Sequence, residues 1–297
     1  IWLDLGHQER FLNAYFSPSA SSVMAFLVWT YTVFGLVLAA QLVLEFRPDW
    51  MKRLGKSYDA ATQARDRGIL KGLQILSIPL VIAFSAGVGA LFGVQGARPY
   101  WHVGMYPVAF FITALVSGAG LMLVLAAFFL PNQDEEHGTI MRGLARLLAV
   151  FLFVEALFLF TDYIMSLYGG LPDNVAAVRQ VITGPYAAPF WVIQVFIGMV
   201  IPFVIAVLPG LNRNTSLLGL AGGLVLVGFV VTRITTVLPA LTVPELEGLR
   251  YAFSDPRLSF DYFPSLTEWA VTIGIVGLAI LIFLAAYAKL SLVKAEI

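Results

Sequence analysis

The sequence has no cysteine, only 3 histidines in 297 residues, and a charged fraction of just 12%. Without a thiolate the chain has no ligands for an iron–sulfur cluster, no attachment point for a c-type haem and no disulfide. Redox chemistry in it therefore needs a diffusible or borrowed cofactor. No histidine falls inside a long apolar run, so haem b ligation between facing helices has no residues to use. No lysine lies in the middle of such a run either, which removes the Schiff-base site of a retinal protein. Lys+Arg and Asp+Glu both number 18, and this formal charge of zero gives no case for a nucleic-acid partner. The start lacks the basic n-region and cleavage-type h-region of a signal peptide. Instead Ile1-Trp2-Leu3 running into Asp4 reads as the last turn of an apolar helix, and further helices are expected upstream of it.

What is present is hydrophobicity: 59% of residues are apolar and the mean hydropathy is +0.86. Crossing roughly 30 Å of hydrocarbon at about 1.5 Å per residue takes about 20 apolar residues. About seven runs meet that length: 20-46, 69-94, 104-130, 141-168, 188-209, 215-238 and 267-290. The expected fold is all-α, a polytopic transmembrane bundle forming one integral-membrane domain over 1-297. The densest basic stretch, Arg47, Lys52, Arg53, Lys56, Arg65, Arg67 and Lys71, belongs on the cytoplasmic side by the positive-inside rule. Arg142, Arg146, Arg213, Lys289 and Lys294 follow it there. The N-terminus is then outside and the C-terminus cytoplasmic. Two longer connections, 169-187 and 239-266, fall on the outer side, where such loops can dock a partner.

Ionisable groups inside apolar spans are functional candidates, because an unpaired charge at the bilayer centre is costly. Glu155 lies mid-span in FVEALFLFTDY, and Asp162 follows on about the same helical face, beside Thr161 and Tyr163. These side chains read as a polar track for protons or as helix–helix hydrogen bonding. Arg233 in VVTRITTVLP either snorkels to headgroups or pairs with a carboxylate or a ligand carbonyl. His137 falls in an acidic loop with Asp134, Glu135 and Glu136 and reads as solvated. His7 and His102 fall at the outer interface with Asp4, Arg10, Arg98, Tyr100 and Trp101. That set reads as interfacial anchoring, or as the polar end of an apolar pocket of the kind a quinone head group requires. Gly219 and Gly223 stand at GxxxG spacing and, with Gly228, Gly274 and Gly277, are expected to let helices approach closely. Pro79, Pro107 and Pro202 are expected to kink their spans.

The order of several segments resembles one family. LDLGHQERFLNAYFSPSASS, ending at Ser22, resembles the Asp-Leu-Gly-x-x-x-Arg stretch and Ser-initiated helix of the NrfD/PsrC membrane subunits. ARPYWHVGMYPVAFFITALVSG resembles their Trp-His and Pro helix–loop–helix, FVEALFLFTDY their Glu-bearing helix, and GPYAAPFWVIQVFIGMVIPFVIAVLP their Phe-Trp helix ending at Pro. The tail from DYFPSLTEWAVTIGIVGLAILIF is similar to the longer ten-helix branch, which includes the membrane subunits of Dsr-type complexes and hydrogenase-2. The resemblance implies a subunit of the bacterial or archaeal cytoplasmic membrane with no haem, metal or iron–sulfur cluster of its own. It implies menaquinone or ubiquinone binding near the outer face. It also implies a ferredoxin-like iron–sulfur partner there, with further catalytic or cytochrome subunits. On this reading Asp4, His7, Arg98, Trp101, His102 and Arg233 attend the quinone, and Glu155, Asp162 and Tyr163 belong to a proton path. The competing reading from the intramembrane charges alone is a secondary transporter or ion channel built on Glu155, Asp162 and Arg233. Substrate flux would support that reading, and co-purification with an iron–sulfur protein would oppose it.

Overall fold

The structure, a computed structural model, describes residues 7–19, 21–130, 135–244, 248, 251 and 264–289. All regular structure among the described residues is helical. After a 3-10 turn at Gln8–Leu12 come α1 (Asn13–Phe16), α2 (Val23–Arg53), α3 (Ala60–Gly93), α4 (Tyr106–Phe129), α5 (Glu135–Tyr168) and α6 (Pro172–Ile182). A π-helical segment at Pro189–Val200 then runs into α7 (Ile201–Val207), followed by α8 (Thr215–Thr242) and α9 (Leu266–Lys289). Seven of these helices are long and apolar enough to cross a bilayer, counting the π segment with α7 as one. The chain is a multi-pass membrane protein. Each span lies where the apolar runs put it, although α2, α3 and α5 extend six or more residues past the expected edge at one end. Helix continues there through charged sequence because its backbone hydrogen bonds are internal and need no bilayer.

The described residues divide into two compact units, one within 1–96 and 101–114 and the other within 97–100 and 115–297. In the first unit α2 packs along α3. Apolar helices gain little from hydrophobic contact inside lipid, so close packing and polar links hold them. Gln41 Nε2 donates to the Leu73 carbonyl at 3.1 Å and to Ser77 Oγ at 2.6 Å. Near the charged ends Arg47 Nη1 reaches both Asp66 oxygens, at 2.9 and 3.1 Å, and Tyr58 Oη donates to the same carboxylate at 2.9 Å. Asp66 is buried, and those three bonds compensate its charge. Gly89 lies so close to the Tyr106 carbonyl that a Cβ would collide with backbone.

The core of the second unit joins α4, α5, α7 and α8. Met141, Ala145, Leu148, Ala149 and Leu152 recur at helical spacing on one face of α5 and meet Val116, Leu123, Ala206, Leu218, Ala221 and Val225. Small residues set the separations. Gly219 abuts Ala127 and Phe128, Gly222 abuts the Gly120 carbonyl, and Gly198 of the π segment faces Gly228 of α8 with room for no Cβ. The expected GxxxG pair is thus corrected to Gly219 and Gly222. Gly223, Gly274 and Gly277 have open space around them, because they sit on the other side of their helices. Pro107 is the second residue of α4, a position that needs no N–H donor, whereas Pro79 lies inside α3 and Pro202 inside the continuous helix formed by the π segment and α7. α9 begins with a reciprocal cap between Ser265 and Glu268. It touches α4 through Phe283 and Tyr287 against Phe129 and buries no side chain fully.

Two expectations about polar segments are overturned. His137 is buried, 6% exposed, in the first turns of α5 and not solvated in a loop. The helix starts at Glu135, so the acidic pair forms its first turn, where negative charge complements the helix dipole. The connection 169-187, expected as a loop, contains the amphipathic α6, whose Asn174, Ala177, Val178 and Val181 are buried. Part of the second connection, 239-266, continues α8 to Thr242, and most of the remainder lies outside the described residues.

Candidate functional site

Polar groups of the second unit gather where α5, α6, the π segment and α8 meet. Pro239 lacks an N–H, so the Thr235 carbonyl four residues earlier loses its helical partner. Tyr100 Oη donates to that carbonyl at 3.4 Å. The Thr235 hydroxyl lies 2.9 Å from Gln194 Oε1 of the π segment, and both side chains are buried. Tyr163 of α5 is buried and faces Tyr100, with the half-buried Asp162 as its electrostatic neighbour. Arg98 Nη1 donates to the Ala240 and Val243 carbonyls, at 3.1 and 2.8 Å. It thereby closes the C-terminal end of α8, whose last carbonyls have no helical partners.

About two turns along α5 from Tyr163, Glu155 interacts electrostatically with Arg233 of α8. The Arg233 guanidinium also lies 4.6 Å from the Phe229 ring centroid. A carboxylate and an aromatic face thus both lie in the environment of Arg233. Opposite charges brought together between two helices neutralise each other where the bilayer would penalise either alone.

Beside Tyr163 an apolar groove of about 430 Å³ runs along α5, lined by Ala156, Phe160, Tyr163, Phe190, Trp191 and Met199 among others. The Phe190 ring packs on both Tyr163 and Trp191, at 5.5 and 4.9 Å between centroids. Trp191 Nε1 is committed to the Ile182 carbonyl at 3.0 Å. Among the lining side chains Tyr163 alone carries a hydroxyl, and that hydroxyl is hydrogen-bonded with Tyr100. The π segment makes this wall: its wider turn turns Phe190 inward and leaves Trp191 along the groove, and such turns recur at functional sites.

The expected outer cluster is distributed differently. Asp4 lies outside the described residues. In the first unit His7 is exposed and 3.0 Å from Glu9, His102 is exposed, and half-buried Trp101 packs edge-on against Phe92 at 5.2 Å. In the second unit Glu155, Asp162 and Tyr163 lie on α5, Gln194 on the π segment and Arg233 and Thr235 on α8, while Arg98 and Tyr100 reach α8 carbonyls from the connection after α3. Gln194, Phe190 and Trp191 went unnoticed in the sequence. The signal was there as an aromatic pair directly after Pro189, with an amide four residues on, inside an otherwise apolar run. No group of three metal-ligating side chains occurs among the described residues.

A family model described as polysulphide reductase, NrfD matches residues 1–245. The chain is 29% identical to a selenate reductase subunit of Mesobacillus selenatarsenatis, over 95% of this chain and 71% of that protein. It is 26% identical to the Hdr-like menaquinol oxidoreductase integral membrane subunit of Archaeoglobus fulgidus, over 95% and 69%. Similarity to the menaquinone reductase integral membrane subunit of Nitratidesulfovibrio vulgaris is 24% identity, over 99% and 70%.

Proposed function

The chain belongs to the polysulphide reductase NrfD family, and on that premise we propose that it is a quinone-reactive membrane subunit of an oxidoreductase complex. It passes electrons between the membrane quinone pool and an iron–sulfur subunit docked at its outer face, with catalytic or cytochrome subunits beyond. Two relatives are named for menaquinol or menaquinone, which favours menaquinone over ubiquinone. The observation that carries the reading is the apolar groove with a single phenol, Tyr163, on its wall.

An isoprenoid quinone fits those residues: a long apolar tail needs an apolar furrow, and a carbonyl head needs a hydrogen-bond donor. A bound quinone supplies reversible two-electron, two-proton chemistry. Phe153, Phe160, Phe190 and Trp191 keep water from the groove, and Tyr163 holds an O–H at its wall. Asp162 stands beside Tyr163, and the Glu155–Arg233 pair lies further along α5. These residues are the proposed proton route. His7, His102, Trp101 and Asp4 remain proposed contacts at the docking face.

The test is quinol turnover by the purified complex. Ala156→Phe fills the groove and is expected to raise KM for a long-tailed menaquinol about tenfold while leaving dye-driven turnover of the catalytic partner unchanged. Tyr163→Phe is expected to lower kcat by about 10²-fold, the low end of what one acid–base group contributes. Unchanged kinetics in both variants removes the groove assignment. The second reading, a secondary transporter or channel, rests on the intramembrane Glu155–Arg233 pair with Asp162. Ion or substrate flux into liposomes holding this chain alone would favour it.

A further inference from the structure

A second cavity lies on α5, outside the groove. Its volume is about 860 Å³, and it is lined by Arg142, Arg146, Ala149 and Val150 of α5, Ala206 and Val207 of α7, and Pro209, Asn212 and Arg213 of the turn that follows. Arg142 and Arg146 are four residues apart and so share one helix face. No carboxylate lines the cavity, and among the described residues none lies within 4 Å of these three guanidinium groups. Arg142 donates to the Thr139 hydroxyl at 3.1 Å, and Asn212 Nδ2 to the Ala206 carbonyl at 3.4 Å. Three positive charges on one cavity repel one another until an anion joins them.

We propose that this cavity binds the phosphate headgroup of an anionic phospholipid, best one with two phosphates, such as cardiolipin. Size and lining decide between a lipid and free phosphate. Inorganic phosphate occupies only a few times the roughly 30 Å³ share of one water, so it would leave most of the space unfilled. It would also leave the apolar walls without a partner. Val150 and Val207 are 57% and 49% exposed at the cavity, so its rim continues onto the apolar surface that bilayer chains cover. A phospholipid meets both demands at once, its phosphates on the arginines and its acyl chains along the valines. Basic pockets between spanning helices recognise such headgroups by this combination.

The experiment uses the protein extracted in mild detergent with whatever subunits accompany it, stripped of loosely bound lipid. Tetraoleoyl cardiolipin, dioleoylphosphatidylcholine and inorganic phosphate are added separately, and adducts are read by native mass spectrometry and thermal shift. Cardiolipin is expected to stay bound and raise Tm, while phosphatidylcholine and phosphate do neither. Arg146→Ala with Arg213→Ala is expected to weaken retention about 25-fold, about fivefold per arginine. Arg146→Lys with Arg213→Lys keeps the charge and most of the binding, and Arg146→Gln with Arg213→Gln, with the same expected loss, stands in if the alanine variant fails to fold. Equal retention of phosphatidylcholine, wild-type retention in the alanine variant, or displacement of cardiolipin by equimolar phosphate would each overturn the proposal. So would recovery of the arginines protected by an acidic protein subunit with no lipid present.

Discussion

Residues 142–150 of α5 line a cavity with three arginines, whereas residues 152–167 line a groove whose side chains are apolar except for Tyr163 and the indole of Trp191. Both hollows use the same helix, and their centres are only about 20 Å apart at 1.5 Å per residue. The difference follows from depth. α5 has 34 residues and so extends about 50 Å, against roughly 30 Å of hydrocarbon. One end of it must stand among headgroups, where arginine is well solvated and anions are at hand. The stretch inside the hydrocarbon penalises charge without a partner, and there Glu155 interacts electrostatically with Arg233. The two hollows therefore suit different guests: an anion with chains in one case, a neutral lipid-soluble molecule in the other.

The most severe way to break that contrast is Glu155→Ala, which removes the carboxylate that interacts with Arg233. Leaving a charge in the membrane interior without its opposite neighbour is costly, and a fall in Tm in detergent is expected. Arg146→Ala, at the headgroup end, should change stability by no more than about 0.5 kcal/mol, the range for a surface change. Adding Arg233→Leu to Glu155→Ala should restore most of the stability. If turnover stays lost in that double variant, the pair serves the proton route as well as the fold.

Next in size is Gly198→Leu. It forces the π segment off α8 at the Gly228 contact, and overpacking of this kind costs about 1–3 kcal/mol. Since the π segment walls the groove and not the arginine cavity, quinol turnover should fall while cardiolipin retention persists. Loss of both together would show that the hollows are not independent. A smaller effect is expected from Thr235→Val, which removes the bond to Gln194; intramembrane hydrogen bonds of this type average about 0.6 kcal/mol.

The smallest change lies away from both hollows and serves as a baseline. The Thr62 hydroxyl donates to Asp59 and holds its carboxyl below the ordinary 3.8, against some opposing desolvation. A depressed carboxylate contributes stability above its unfolded-state pKa and loses it as pH falls through the folded value. Thr62→Ala should therefore flatten the acid limb of a Tm-against-pH curve below about pH 4, with no change at neutral pH and none in either hollow.

Much of the architecture was legible because it depends on local chemistry. Seven apolar runs, each bounded by charge or proline, became seven spans, since only an internally hydrogen-bonded helix satisfies its backbone in lipid. The lack of cysteine leaves this sequence without a thiolate to hold a cluster or to attach a haem. α6 left a signal too, in the helical spacing of Ala177, Val178 and Val181, but Gly, Pro and Asp around it read as loop. Of the candidate site, Glu155, Asp162, Tyr163 and Arg233 stood out as polar residues in apolar runs. Arg142, Arg146 and Arg213 stood out only as markers of orientation.

Composition and periodicity thus determined the helices, their number and their solvent, because burial in lipid is a property each segment meets alone. Tertiary structure decided which glycines touch, that Arg233 meets Glu155, that Tyr100 covers the carbonyl freed by Pro239, and which side chains share a hollow. Those outcomes depend on the rotation of one helix against another. In a bilayer that rotation is set by close packing between helices far apart in the chain, and a hydropathy pattern carries no record of it.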